Sequence, residues 1–395
     1  MKTRGKPDFL LLILTLLLVG FGIVMVYSAS SVFSLYKFHN DTYFMKKQLM
    51  WALIGITAMF SIMNVPYTFF KKSFVPIMVT ALFILAAVLI PGIGTRLNGA
   101  RSWISLGAFS VQPAEFAKLA VIIYLSALIA KKGEHVRHFK KGFMPSMVIV
   151  GAFFLIIAKQ PDFGSATILA LTAAAVIFAG GANLKHLAAL GVVFSIFSII
   201  YIVTSPYRWA RIANFSDPWA DGANGLDKGF QLMHSYFALA HGGIAGAGFG
   251  KSIEKFLYLP EAQTDFIFAI MSEELGFIGG TLFLLIYLFY LWRIITVTLR
   301  LQDPFANLMG IGVVSMIFIQ AFINIGGVTG LIPITGVPLP FISYGGSSLL
   351  VNMISIGIVL SISRETYKQE LKKAAVEEPS SNSAVVAFKN IRKKA

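Results

Sequence analysis

The sequence predicts an all-α polytopic membrane protein with about ten transmembrane helices and with both termini in the cytoplasm. Hydrophobic residues make up 56% of the 395 residues and charged residues only 13%, which is about half the charged share of soluble chains. Apolar stretches near the length of about 20 residues that spans a bilayer recur along the chain. Lys and Arg are concentrated in alternate loops and in the C-terminal tail, as is typical of cytoplasmic segments.

Ten apolar stretches are the candidate helices. They cover residues 9–28, 46–64, 73–91, 113–130, 143–158, 164–181, 186–204, 266–292, 306–325 and 343–362. A signal peptide is the alternative for the first stretch, but no convincing cleavage site follows it. Most Lys and Arg residues fall on one side when the N-terminus is cytoplasmic, and an even number of crossings also keeps the basic tail on that side.

The ten helices are predicted to form one domain, residues 1–366, followed at 367–395 by a disordered, basic cytoplasmic tail. A long loop, residues 205–264, lies on the outer face between helices seven and eight, and loops of this length usually carry function. Within it, residues 230–240 are predicted to form a short amphipathic helix, and Gly242–Gly250 is rich in glycine. The net charge of +15 is attributed to cytoplasmic segments, so no nucleic-acid partner is expected. The absence of Cys excludes disulfides, thiolate metal sites and Cys nucleophiles.

Charged residues within the fourth predicted helix form the first candidate site. Glu115 and Lys118 stand three apart, so they share a helical face and can pair. Charges in a membrane are tolerated mainly in a cavity or beside an opposite charge, so the pair either lines a site or sets helix register. Arg101 and Trp103 precede this helix in a polar outer segment. The Arg suits contact with a phosphate and the Trp suits contact with the face of a sugar. The belt of aromatic residues at membrane interfaces explains the Trp equally well.

The densest polar cluster, residues 259–268, ends the outer loop. Glu261 and Asp265 are four apart, so helical geometry would bring both carboxylates to one face near the water boundary. Residues 266–268 are apolar and would draw Asp265 toward lipid, which suits a general base or a metal ligand. The alternative is a first-turn acid that the helix dipole stabilises.

Two further segments carry polar residues at predicted helix starts. Asp162 begins the sixth helix, where a capping role and a substrate contact are both open. Residues 336–348 combine two prolines with Ser343 and a Gly-Gly-Ser-Ser helix start. Backbone amides at such a start can hold an anion, and a re-entrant turn is the structural alternative.

These motifs together resemble those of the SEDS proteins (shape, elongation, division and sporulation). The resemblance covers about residues 8 to 366, in the family's order, and rests on Arg101-Ser-Trp103, Gln112-Pro-Ala-Glu115, Pro260-Glu-Ala-Gln-Thr-Asp265, Ser272-Glu-Glu-Leu-Gly276 and Pro338-Leu-Pro-Phe-Ile-Ser343. The chain looks most similar to the branch that contains FtsW and SpoVE, with RodA further away. Gln263 is a departure, because many relatives carry His there.

The resemblance implies a ten-helix peptidoglycan glycosyltransferase that polymerises lipid II on the outer face of the bacterial cytoplasmic membrane. Implied partners are a class B penicillin-binding protein and other divisome or sporulation membrane proteins, with the division septum as the place of action. Asp265 is then the catalytic base, or the ligand of a divalent cation, Mg²⁺ or Mn²⁺, and no organic cofactor is expected. The candidate substrate-binding residues are Arg101, Trp103, Glu115, Lys118, Asp162, Glu261 and Ser343. A lipid II flippase and a non-catalytic division scaffold are the competing classes.

Overall fold

The computed structural model describes residues 5–97, 100–107, 109–219 and 229–377. Its described residues form thirteen α-helices and one small antiparallel sheet. The helices are α1 (Phe9–Phe38), α2 (Tyr43–Met63), α3 (Tyr67–Lys72), α4 (Phe74–Ala87), α5 (Pro113–Lys132), α6 (Met144–Lys159), α7 (Phe163–Ala179), α8 (Leu184–Val203), α9 (Pro206–Ser216), α10 (Phe230–Gly242), α11 (Ile267–Leu299), α12 (Pro304–Val328) and α13 (Gly346–Glu377). The strands are β1 (Gly94–Leu97), β2 (Ala100–Leu106) and β3 (Phe109–Val111).

Each of the ten predicted stretches coincides with a helix: α1, α2, α4 to α8, α11, α12 and α13. Within the described ranges, seven helices are long and apolar enough to cross a membrane unaided, and α4 and α7 are apolar but shorter. The chain is therefore a multi-pass membrane protein, as its composition predicts.

The first described residues lie beside residues 363 and 364 near the end of the described chain. The backbone N–H of Asp8 donates to Ser363 Oγ (3.1 Å), and Arg364 Nε donates to the carbonyl of Gly5 (2.9 Å). An even number of crossings is required for this arrangement, and the basic loops assign that side to the cytoplasm. Residues 367–377 continue α13, so the prediction of disorder from residue 367 was wrong for them. Residues 378–395 lie outside the described part of the chain.

Two hydrophobic cores meet at α5. The first is formed mainly by α1, α2, α11, α12 and α13, and the second by α4 to α7. Ile122 of α5 packs in the first core and Leu125 in the second. Because α5 is covered on nearly all sides, its charged residues must find partners within the protein. By contrast, no residue of α8 is buried, so this helix presents its apolar side chains to the surroundings.

The sheet was not predicted, because its strands lie in a segment expected to be an irregular polar connection. β2 pairs with β1 on one side and with β3 on the other. Phe109 of β3 packs edge-on against Trp51 of α2 (5.5 Å between centroids), and the Gln112 N–H donates to Ser347 Oγ on α13 (3.0 Å). The sheet therefore fixes the outer end of α5 to α2 and α13.

The outer loop contains two helices, α9 and α10. The helix predicted at 230–240 is confirmed as α10, although one of its faces packs on the protein. Ser235 Oγ on that face donates to the carbonyl of Val328 (2.7 Å) at the end of α12. After the outer loop, the chain enters α11. This helix is interrupted at Gly276, whose φ of 68° and ψ of −173° are not helical.

Candidate active site

Asp265 is partly buried in the turn that precedes α11. The N–H groups of Thr264 and Phe266 both donate to the carbonyl of Glu261, at 3.0 and 3.3 Å, and so close this turn. The three apolar residues that follow Asp265 are buried in the protein core. The prediction that they draw Asp265 toward lipid was therefore wrong, and their packing instead holds the carboxylate at the end of the helix.

Glu261 does not share a helical face with Asp265, so this part of the sequence prediction was also wrong. Its φ of 56° lies in the left-handed region and cannot continue a right-handed helix. The side chain is exposed, and its Oε2 accepts a hydrogen bond from Thr264 Oγ1 (2.8 Å). Glu261 shapes the turn that carries Asp265, and its predicted contact with substrate stays a prediction.

Asn324 on α12 fixes the backbone of the turn. Its Nδ2 donates to the carbonyl of Asp265 (2.8 Å) and to the carbonyl of Val337 (2.7 Å). Asp265, Asn324 and Gly336 line a small cleft between α12 and the chain that follows it. A β-carbon added at Gly336 would lie 3.6 Å from Asp265 Oδ2, so glycine keeps the space beside the carboxylate open.

A buried ion pair on α5 contacts Gln320, which lies one turn before Asn324 on α12. Lys118 Nζ is 2.8 Å from Glu115 Oε1 and donates to Gln320 Oε1 (3.1 Å). Both charged side chains are buried, which confirms the predicted pairing. Gln320 Nε2 in turn donates to the carbonyl of Pro338 and to Ser348 Oγ, each at 3.0 Å. The chain that lines the cleft is thus connected to the ion pair by hydrogen bonds through α12.

The sequence analysis missed the two amides of α12. Gln320 and Asn324 are four residues apart in an otherwise apolar stretch, so they share one face of the helix. Buried polar side chains need partners in a membrane. This spacing was therefore the signal that could have identified both residues.

The starts of three helices are joined at the outer end of α5. Asp162 Oδ1 accepts from the Ser165 N–H (3.1 Å) and caps α7, while its Oδ2 accepts from Gln112 Nε2 (2.7 Å). The Gln112 N–H reaches Ser347 at the start of α13 (3.0 Å). The capping role of Asp162 is confirmed, and its contact with substrate stays a prediction.

Ser343 stabilises the turn before α13. Its Oγ accepts from the Leu339 N–H (2.8 Å), and its carbonyl accepts from Gln48 Nε2 on α2 (3.1 Å). The Tyr344 N–H donates to the carbonyl of Gln263 (2.9 Å), which ties this turn to the turn of Asp265. Burial, and then the nearby Tyr43, raise the pKa of Tyr344 to about 12, so its phenol remains protonated at neutral pH.

Arg101 and Trp103 lie on β2, away from the turn of Asp265. Arg101 Nη1 donates to the carbonyl of Leu89 (3.5 Å), and Trp103 stands opposite Thr95 of β1. The predicted roles of both residues in substrate binding remain predictions.

A divalent cation fits this site only if a bound substrate and water supply most of its ligands. Across the described ranges, no group of three or more His, Asp or Glu side chains could hold a metal ion. Mg²⁺ is often held by one or two carboxylates together with substrate phosphates and water. The single carboxylate of Asp265 is compatible with that mode of binding.

The chain matches one family model over nearly its whole length. The FtsW/RodA/SpoVE model, described as "Cell cycle protein", matches residues 8–368. Stage V sporulation protein E of Bacillus subtilis is 48% identical over 361 residues, which cover 91% of this chain and 98% of that protein. A probable peptidoglycan glycosyltransferase FtsW of Geobacter sulfurreducens is 41% identical over 92% of this chain and 96% of its own length.

Solved structures share the fold. A chain from a structure described as the structural coordination of polymerization and crosslinking by a peptidoglycan synthase complex superposes with a TM-score of 0.74 and 24% identity, covering 91% of this chain and 98% of that one. The crystal structure of the rod shape determining protein RodA of Thermus thermophilus gives a TM-score of 0.69 at 25% identity, with the same coverage. The family motifs, the model match and the curated relatives agree, and the chain belongs to the FtsW/RodA/SpoVE family.

Proposed function

We propose that the protein is a peptidoglycan glycosyltransferase that polymerises lipid II into glycan strands on the outer face of the bacterial cytoplasmic membrane. The observation that carries this proposal is the position of Asp265. Its carboxylate stands beside a cleft at the outer end of α11, and Asn324 holds its backbone. The names of the FtsW relatives, which are 37–41% identical to this chain, support the same activity.

The proposed reaction needs one base and a stabilised leaving group. Asp265 accepts the proton of the acceptor sugar's 4-hydroxyl as that oxygen attacks the anomeric carbon of the donor. A glycosidic C–O bond forms while the bond from the anomeric carbon to the pyrophosphate breaks, and the lipid pyrophosphate leaves with the bonding electrons. Cations near the pyrophosphate stabilise the negative charge that develops on it. Arg101 is the candidate for direct contact with the pyrophosphate. Lys118 is the other candidate cation, but both of its Nζ hydrogen bonds that the structure describes go to other side chains.

A divalent cation, Mg²⁺ or Mn²⁺, is part of the proposal. In this alternative to direct proton transfer, Asp265 would supply the protein carboxylate that holds the cation, and the pyrophosphate and water would supply the other ligands. The cation would supply positive charge to the pyrophosphate. The protein itself orients the acceptor and holds the carboxylate in place.

An apolar cavity supports a lipid-linked substrate. It measures about 810 Å³ and lies between α3, α4, α5, α13 and the sheet. Its lining is almost entirely apolar and extends from Phe70 on α3 to Ile104 on β2. Such a cavity suits a long isoprenoid chain. Arg101 is on the same strand as Ile104, so the proposed phosphate contact lies near the outer end of the cavity.

The proposed partner is a class B penicillin-binding protein, which would crosslink the strands that this protein makes. The likeness to a chain of a peptidoglycan synthase complex supports this pairing. Cell division or sporulation is the proposed context, with the septum as the place of action, since the relatives include FtsW and stage V sporulation protein E.

A flippase is the second candidate, because a buried Glu115–Lys118 pair also suits a transporter. The test is polymer formation from labelled lipid II in detergent micelles, where no bilayer exists for translocation. The full chain is purified with a transpeptidase-inactive partner and assayed with Mg²⁺ or Mn²⁺. Polymer from the wild type, and none from Asp265→Ala, supports the transferase. Lipid II translocation in liposomes without polymer formation in micelles would favour the flippase.

A further inference from the structure

A second cluster of charged residues is buried at the outer end of α11, apart from the path that joins the cleft to Lys118. Glu254, Lys255, Glu273 and Glu274 are each no more than 5% exposed. Their contacts join α1, the outer loop and α11, and neither the sequence motifs nor the proposed chemistry assign them a role. Buried charges are costly unless they pair in good geometry and have further hydrogen-bond partners.

The cluster lies where α11 is interrupted. The N–H groups of Ala247 and Gly248 donate to the carbonyls of Glu273 and Glu274, at 2.9 and 3.0 Å. A β-carbon added at Gly276 would lie 2.2 Å from the backbone nitrogen of Gly246. The glycine-rich segment of the outer loop is thus inserted into the break of the helix, where side chains on these glycines would prevent the approach.

Lys255 fixes the next part of the loop. Its Nζ lies 3.1 Å from Glu274 Oε1 on α11 and 3.4 Å from Ser28 Oγ on α1, and it donates to the carbonyl of Gly250 (2.6 Å). Ser28 Oγ also donates to Glu274 Oε1 (2.5 Å). One ammonium therefore holds two membrane helices and the loop together.

Glu273 binds the residues of the outer loop that precede Lys255. Its Oε2 accepts from Ser252 Oγ (2.5 Å) and its Oε1 from the Ile253 N–H (2.8 Å). On α10, His234 Nδ1 lies 2.6 Å from Glu254 Oε2, and His241 Nδ1 lies 3.7 Å from Glu273 Oε1. Residues 252–254 are therefore attached to α10 and α11 through the buried carboxylates of Glu254 and Glu273.

The chain runs from this attachment directly to Asp265. The Leu259 N–H donates to the carbonyl of Glu254 (2.9 Å), and both Leu257 and Glu261 have positive φ, at 70° and 56°. Non-glycine residues adopt such backbone conformations only when the surrounding structure imposes them. The acidic turn is thus held at one end by Lys255 and at the other by Asn324.

We propose that Lys255 and Glu274 are positioning residues, and that their ion pair sets the location of the Asp265 carboxylate from a distance. This inference rests on the proposed role of Asp265. Without the pair, the turn at residues 256–265 loses the attachment nearest to it at this end, and the base spends less time in line with the acceptor hydroxyl. Both side chains of the pair are buried, so we expect turnover to depend on the pair more than substrate binding does.

The test compares Lys255→Met, Glu274→Gln and the double variant with Lys251→Met, a matched control at an exposed lysine of the same loop. Full-length proteins with the transpeptidase-inactive partner are assayed with lipid II. We expect kcat to fall at least tenfold in Lys255→Met, with KM within about twofold of the wild type. We expect the double variant to be no slower than the slower single variant, because the two residues act as a pair. Lys251→Met should match the wild type.

Amide hydrogen exchange supplies a readout that does not depend on activity. Exchange in residues 256–265 should rise in Lys255→Met while exchange in α5 and α12 stays unchanged. Unchanged exchange in that turn, additive losses in the double variant, or a raised KM with normal kcat would each overturn the inference. If Lys255→Met does not fold, Glu274→Gln, which keeps the side-chain size, carries the same comparisons. Inactive wild-type protein would count against the proposed function, and the exchange result would still decide whether Lys255 holds the turn.

Discussion

Lys118 on α5 donates a hydrogen bond of 3.1 Å to Gln320 on α12, and the same ammonium lies 2.8 Å from the Glu115 carboxylate. The ion pair is therefore also a contact between two central helices. Since Gln320 further donates to the carbonyl of Pro338, a change in the pair is transmitted to the chain that lines the cleft of Asp265.

Removal of Lys118 alone should destabilise the protein more than removal of the whole pair. Lys118→Met leaves Glu115 buried without its cation, which costs about 3–5 kcal/mol. The double variant Glu115→Gln/Lys118→Met leaves no buried charge and should unfold at a higher temperature than the single variant. Thermal denaturation in detergent checks this order, with Lys131→Met on the exposed end of α5 as the control. A double variant less stable than either single variant would refute the pairing.

Asn324→Leu should release the acidic turn. The substitution leaves the carbonyls of Asp265 and Val337 without their shared donor, and each buried unsatisfied group costs about 1–3 kcal/mol. We expect a lower unfolding temperature and a loss of polymerisation at temperatures where the variant is still folded. Thr329→Val, at the residue that caps the C-terminal end of α12, is the control. Full activity in Asn324→Leu would show that the turn does not need this amide.

Gly276→Ala should separate the outer loop from α11. Alanine is strained at the φ of 68°, by about 1–3 kcal/mol, and its β-carbon would collide with Gly246. Gly280→Ala is the matched control, because a β-carbon there meets its nearest neighbour, Ser272 Oγ, at 3.7 Å. Limited proteolysis of the outer loop should be faster in Gly276→Ala alone. Equal cleavage of both variants would contradict the close approach.

Stability should fall in acid because of a cytoplasmic cluster at Asp303. Burial alone would raise the pKa of Asp303, but hydrogen bonds from Lys71, the Phe305 N–H and Tyr67 outweigh it, so the pKa lies below its usual 3.8. A lowered pKa contributes stability above about pH 3.8 that is lost as the pH falls through the folded value. Unfolding temperatures measured from pH 6 to 3 should therefore fall more in the wild type than in Asp303→Asn. Parallel curves would contradict this account.

The ten apolar stretches that coincide with helices could be predicted because an apolar run of sufficient length has one stable form in a bilayer. The Glu115–Lys118 pair could be predicted for a related reason, since helical spacing and the cost of an isolated charge both require it. The position of Asp162 at a helix start likewise follows from local capping chemistry.

Other features depend on contacts that a single sequence does not reveal. The predicted apolar stretch 266–292 includes Gly276, and nothing in its pattern marks this position as a break, so the interruption of α11 is visible only once the glycine-rich loop is seen to fill it. Glu261 and Asp265 have helical spacing, but the left-handed conformation of Glu261 makes the segment a turn. The short strands at 94–111 are stabilised by pairing with each other and by packing on Trp51.

The most direct test of the central claim is the polymerisation rate of Asp265→Asn, which keeps the shape of the side chain and removes the base. Asp41→Asn, at an exposed carboxylate on the same outer side, is the matched control. Both variants are purified with the transpeptidase-inactive partner and assayed with labelled lipid II and Mg²⁺. The account predicts no detectable polymer from Asp265→Asn and wild-type rates from Asp41→Asn. Polymer from Asp265→Asn at a rate near that of the wild type would contradict the assignment of Asp265 as the base.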